Sequence, residues 1–188
     1  SIGARDVPVF AMPRMAEFLR THGPWSQLVD YRNIALQPLT ANTPATVGRF
    51  RVTPLPVPHR EEFSEVVGFR IDGPNRSVLF IPDIDSWTDW DERGVRIEDL
   101  IRSVDTAYLD ATFYADGEIP GRDMSGFPHP RIVESMLRFG TLPAEERDKI
   151  RFIHLNHTNP ALDPAGAARR AIEANGFHVA REGERMPL

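Results

Sequence analysis

Four of the six histidines in this 188-residue chain lie beside apolar runs or prolines. His59 closes Pro56-Val57-Pro58-His59, and His129 stands between Pro128 and Pro130. His154 and His157 follow Phe152-Ile153. Three carboxylates occupy matching places: Asp83 and Asp85 after Val78-Leu79-Phe80-Ile81-Pro82, and Asp110 after Ala107-Tyr108-Leu109. Mixed α/β folds gather functional groups at strand ends. A buried strand ending in Asp carries charge to the rim of a core, which is costly unless a cation or donors meet it. Imidazole nitrogen and carboxylate oxygen together suit zinc, manganese or iron. Two such ions a few ångströms apart turn water into a nucleophile at neutral pH. His59, Asp83 and His154, each ending a different strand, can supply part of such a site.

Each residue also has a plainer role. A lone loop histidine is more often solvated than a ligand. Aspartate at a strand end is usually a turn former, and Asp85 reads first as the start of a turn toward Trp87. His22 reads as a helix end and His178 as a structural strand residue. The aromatics Trp87, Trp90, Phe113 and Tyr114 suit a pocket lining or a core equally. Spacing alone leaves both readings open.

The elements that must position these groups follow from periodicity and punctuation. Strands are expected at Val7–Ala11, Ile34–Leu39, Val47–Val57, Thr106–Ala111, Arg151–Leu155 and Phe177–Ala180. Val66–Asp72 and Ser77–Ile81 read as a hairpin around Asp72-Gly73-Pro74-Asn75-Arg76. Helices are expected from Pro13 to a stop at Gly23-Pro24, and over 97–102, 129–139, 143–149 and 164–175, the last closed by Gly176. Residues 115–128 form a Gly/Pro-rich loop. This alternation predicts a mixed sheet covered by helices, an α+β arrangement.

Composition narrows the function classes. The chain carries 22 Lys and Arg against 27 Asp and Glu, a formal net charge of -5. That balance offers no electrostatic footprint for nucleic acid, which is an unexpected partner here. With no cysteine, any metal must rest on His, Asp and Glu. No apolar run is long enough for a membrane span. Ser1-Ile2-Gly3-Ala4-Arg5-Asp6 lacks the apolar core of a signal peptide and has no Met, so the chain reads as cytoplasmic and as starting inside a longer polypeptide.

Order and context add more. His59 followed by Val67-Gly68-Phe69-Arg70-Ile71, then Leu79-Phe80-Ile81-Pro82-Asp83, then Leu109-Asp110-Ala111-Thr112-Phe113, then His129 at a helix start, then Phe152-Ile153-His154-Leu155-Asn156-His157-Thr158-Asn159-Pro160, resembles the metallo-β-lactamase superfamily. The likeness is nearest to the branch holding ribonuclease Z, the phosphonate-pathway cyclic phosphodiesterase and the coenzyme PQQ biosynthesis protein B. The Asn156–Pro160 segment leans toward the last of these. The resemblance implies the C-terminal part of a four-layer αββα sandwich with mixed sheets, with 1–188 as one domain. The family's His-x-His-x-Asp-His motif and the N-terminal strands are absent from it.

The resemblance further implies a metal-dependent hydrolase of phosphodiester or related ester bonds. His59 and His154 would ligate separate metals, Asp83 would bridge them, and His129 would donate a proton. Asp110 would orient a ligand histidine, with His157 and Asp85 as further supporting or substrate-contacting groups. Two divalent ions are implied, zinc first and manganese or iron as substitutes. A small-molecule substrate and a homodimer go with it. Two other readings accompany it: a PQQ protein B type of oxidative cofactor biosynthesis, and a truncated non-catalytic binding domain. A role in tRNA processing is disfavoured by the acidic balance and by the lack of a basic insertion between His59 and Asp83.

Overall fold

The computed structural model describes residues 3–188; Ser1 and Ile2, the start of the segment read as lacking a signal peptide, lie outside them. Two sheets form. The smaller pairs β1 (Val7–Ala11) with β2 (Ile34–Pro38) in parallel. A parallel pair needs a crossover, supplied here by α1 (Pro13–Thr21) and α2 (Ser26–Asp30). Pro13 sits in the first turn of α1, where its missing N–H costs nothing.

The larger sheet has seven strands in sequence order: β3 (Ala45–Val47), β4 (Phe50–Pro56), β5 (Val67–Asp72), β6 (Ser77–Ile81), β7 (Thr106–Asp110), β8 (Ile150–Ile153) and β9 (His178–Val179). β3 to β6 form an antiparallel meander, and β6 to β9 pair in parallel. The parallel crossovers run through α3 (Trp87–Glu92) and α4 (Ile97–Arg102), then α5 (Ile132–Phe139) and α6 (Ala144–Arg147). The last passes a 3-10 turn (Pro160–Leu162) and α7 (Ala167–Ala174).

This topology places the site. β6, β7 and β8 run the same way, so Asp83, Asp110 and His154 emerge at one edge of the sheet. β4 is two antiparallel steps from β6 and shares its direction, so His59 emerges there too. The central strands are covered on both faces: Thr106, Ala107, Leu109 and Asp110 of β7 are all buried. Ala107 and Leu109 pack in one core with Leu79, Ile81, Trp90, Ile101, Phe139, Ile150, Phe152, Ile172 and Phe177. Each such fully buried large side chain contributes roughly 1.5–3 kcal/mol.

Several boundaries differ from the sequence expectation, for local reasons. The run 47–57 is two strands, because Gly48 takes φ 60°, a left-handed conformation open to glycine, and turns the chain between β3 and β4. The helix expected from His129 begins at Ile132, since a residue before proline is pushed toward extended backbone and His129 precedes Pro130. Helices α2 and α3 were not expected. For α3 a signal exists: Ser86 Oγ accepts a hydrogen bond from Asp89 N, capping the helix, and Trp87 and Trp90 bury one face. Trp87, Trp90 and Phe113 are core residues, at 5%, 1% and 5% exposure.

Candidate metal centre

Prolines stiffen the segments that carry the site. His59 follows Pro58 at the end of the β4 extension, and Pro58 O accepts a hydrogen bond from Asp85 N. That backbone tie brings the loop after β4 against the loop after β6. His59 Nδ1 lies 2.5 Å from Asp85 Oδ1, and His59 Nε2 lies 3.3 Å from Asp83 Oδ2. Asp83 Oδ1 in turn lies 3.6 Å from His129 Nδ1. Among the described residues nothing donates a hydrogen bond to that buried Oδ1.

Asp110 is fully buried and fully engaged. Its Oδ1 accepts from Thr112 N (2.8 Å) and Thr112 Oγ1 (2.7 Å). Its Oδ2 accepts from Ile84 N (3.0 Å) and His129 Nδ1 (2.9 Å). Four donors meet the four acceptor positions of a carboxylate. Burial pulls the His129 imidazole down, but the hydrogen bond and charge of Asp110, with the charges of Asp83 and Asp85, outweigh it and hold its pKa above the ordinary value.

His154 stands just past β8 with φ 66°, a left-handed conformation that costs a non-glycine residue of order 1 kcal/mol. The loop around it is pinned. Asn156 N donates to Thr112 O, and the buried Asn159 amide donates to Ala111 O and Thr112 O. Thr158 Oγ1 donates to Glu118 Oε1. His154 Nδ1 lies 3.0 Å from Thr112 Oγ1 and 4.0 Å from Asp110 Oδ1. Its ring is 6.3 Å from that of His129, and the rings of His129 and His59 are 6.4 Å apart.

The structure therefore gathers His59, Asp83, Asp85, Asp110 and His129 in one cluster, with His154 at its margin. Among the described residues no hydrogen bond or ion pair joins His154 to Asp83, and His157 is exposed without a partner. Asp83, Asp110 and His129 offer ligand atoms within 4.8 Å of one another. Of these, Asp110 and His129 Nδ1 already satisfy each other, so the bare acceptor is Asp83. An orphaned carboxylate oxygen beside imidazoles is a donor set that suits a divalent ion.

A family model described as "Beta-lactamase superfamily domain" matches residues 2–155. The chain belongs to the beta-lactamase superfamily. Among curated superfamily proteins it is 26% identical over 190 aligned positions to coenzyme PQQ synthesis protein B of Xanthomonas oryzae pv. oryzae, covering 90% of this chain and 61% of that protein. It is 27% identical over 138 positions to the Rhizobium meliloti protein of the same name, covering 68% and 41%. Thus it spans about three fifths or less of these relatives' length. The structure of Zn(2+)-bound PqqB from Methylobacterium extorquens superposes with a TM-score of 0.77 at 20% identity, over 97% of this chain and 65% of that one. A diphosphatase from the PhnP family superposes with a TM-score of 0.60 at 19% identity, over 95% and 56%. The mixed sheet and its helices are therefore the beta-lactamase superfamily fold.

Three positions in this superfamily chain matter more than the sequence suggested. Asp85, read first as a turn former and through the resemblance as a supporting or substrate-contacting group, meets His59 directly. Thr112 touches both His129 and His154. Arg131, 5% exposed, sends its guanidinium to the carbonyls of Met124, Phe127 and His129 and so holds the loop that presents His129. Nothing local in the sequence marks Arg131; its role depends on the path of a loop. Among the described residues no helix is long and apolar enough to cross a membrane.

Proposed function

We propose that this cluster is part of a divalent-metal site and that the complete protein hydrolyses a phosphodiester or related ester of a small molecule. The observation that carries this reading is Asp83 Oδ1, buried and unpartnered while imidazoles flank its carboxylate. His59, Asp83 and His154 would hold metal, zinc first. A bound ion supplies Lewis acidity and lowers the pKa of water it holds. The chain's own residues do the rest. Asp85 holds the His59 ring. Asp110 accepts a hydrogen bond from Nδ1–H of His129 and keeps that imidazole charged to higher pH. His129 then gives the Nε2 proton to the departing ester oxygen as water's oxygen bonds to the phosphorus or acyl centre and that water's surplus proton passes to solvent. A cleft of about 330 Å³ beside His129 and Asp85, walled by Thr88, Glu134 and Arg138, gives a small substrate room.

A second reading has equal support from the relatives: a step in PQQ biosynthesis that oxidises a peptide-derived precursor with dioxygen. The synthesis protein B likenesses favour it. Metal analysis of the full-length protein tests both. Zinc or manganese, hydrolysis of an activated phosphodiester, and loss of metal in His59→Ala and His154→Ala support the hydrolase. Iron or copper with dioxygen consumption supports the second. Unchanged metal stoichiometry in both variants would sink the ligand assignments.

A further inference from the structure

Thr112 stands two residues past Asp110, just beyond the end of β7, and its hydroxyl meets three side chains. Oγ1 lies 2.7 Å from Asp110 Oδ1, 3.2 Å from His129 Nδ1 and 3.0 Å from His154 Nδ1. Thr112 is 9% exposed and Asp110 fully buried, while the His154 side chain reaches solvent at 46% exposure. Thr112 lies in the Ala111-Thr112-Phe113 segment, which carries part of the superfamily likeness.

A hydroxyl has one proton and two lone pairs. Every contact of Asp110 is with a donor, so the carboxylate takes the hydroxyl proton. Both lone pairs of Oγ1 are then left to accept. Each imidazole in reach presents Nδ1, and each can satisfy the hydroxyl only by carrying its proton there. His129 shares its Nδ1–H between Thr112 and Asp110 Oδ2 at 2.9 Å. His154 has Thr112 as its one hydrogen-bond partner among the described residues. The hydrogen bond at one ring nitrogen decides the state of the other.

We propose that Thr112 is a positioning residue that fixes His129 and His154 together in the Nδ1–H tautomer. Both Nε2 atoms are then left free of the neutral ring's proton. A neutral histidine side chain in water carries its proton mainly on Nε2, so the hydroxyl reverses the ordinary preference at two rings at once. The inference about the rings stands on geometry. Its consequence, that His154 Nε2 is ready to ligate and His129 Nε2 ready to relay a proton, rests on the metal reading above.

The test is long-range proton–nitrogen NMR of the uniformly ¹⁵N-labelled, chelator-treated chain, at a pH where both imidazoles are neutral. Wild type is expected to show Nδ1–H at both rings. Thr112→Val keeps the shape and removes the hydroxyl; His154 should move to mainly Nε2–H, while His129, still tied to Asp110, moves less. Thr112→Ser should restore the wild-type pattern. An Nε2–H tautomer at His154 in wild type, or no change in Thr112→Val, would overturn the proposal. Should the valine variant not fold, the wild-type and serine spectra still decide it. Zinc titration of the same samples separates the two layers. A loss of affinity of roughly 10–100-fold in Thr112→Val, rescued by serine, supports the consequence for metal. Shifted tautomers with unchanged zinc affinity would leave the ring inference standing and overturn the metal consequence.

Discussion

Asp85 Oδ1 lies 2.5 Å from His59 Nδ1, which turns the other nitrogen of that ring toward Asp83. Ile84, between the two aspartates, is fully buried in the core. The segment after β6 thus anchors through Ile84 and presents one carboxylate to each nitrogen of a single imidazole. Carboxylates behind a ligating histidine fix its tautomer and raise its basicity. Asp85→Asn should therefore weaken zinc binding roughly 10–100-fold while leaving the melting temperature nearly unchanged. Asp83→Asn should weaken it more. Equal affinities in Asp85→Asn and wild type, by calorimetric titration, would remove Asp85 from the site.

His129 offers a pH prediction. Its pKa is held above the ordinary imidazole value chiefly because Asp110 outweighs burial. A proton donor of this kind works below its pKa and fails as pH rises through it. Asp110→Asn should move the alkaline limb of the activity profile to lower pH, and the NMR titration of His129 should move with it. A titration midpoint unchanged by the substitution would show that Asp110 is not the cause.

At the wall of the cleft, Arg138 on α5 binds Glu98 at 2.6 Å and Asp91 at 2.9 Å. Burial pushes the Glu98 carboxyl up, but the Arg138 hydrogen bond and charge outweigh it and hold its pKa below the ordinary value. Its stabilisation is thus complete above the usual carboxylate range and lost as pH falls through the depressed pKa. Arg138→Met should cost about 1–3 kcal/mol near neutral pH, because Glu98 and Asp91 then keep only the more distant Arg96 as an ion-pair partner among the described residues, at 3.5 and 3.4 Å. The gap to wild type in denaturant melts should narrow in acid. A pH-independent gap would mean that lost packing, not charge, is responsible.

Gly68 on β5 lies where a side chain has no room. A Cβ there would collide with Ile81 Cδ1 and stand 2.9 Å from Phe80 O. Ile81 is fully buried and leads directly into Pro82-Asp83. Gly68→Ala should cost about 1–3 kcal/mol and disturb Asp83 through the end of β6. Thermal unfolding measures the first effect and zinc affinity the second. Wild-type values for both would show that the sheet yields at no cost.

Much of the scaffold was legible because its signals are local. The hairpin of β5 and β6 was marked by alternating apolar residues around a Gly-Pro-Asn turn, and α1 by Pro13 and Gly23-Pro24. The split of 47–57 hung on one glycine within an unbroken alternation, and the late start of α5 on a single proline. Asp83 and His59 stood out because prolines bracket the ends of their strands. Asp85 was marked only as a turn former or a supporting group, since an aspartate four residues past a strand end has the same local look whether it forms a turn or holds a ring.

Sequence by itself determined which residues end strands and which segments are stiff, because proline, glycine and the two-residue period act over a few positions. Tertiary structure alone decided which carboxylate meets which imidazole. His59 and Asp85 are 26 residues apart, and Thr112 and His154 are 42 apart. Those pairings exist because β4, β6, β7 and β8 run in one direction and deliver their ends to one edge, a consequence of sheet order that no local pattern carries.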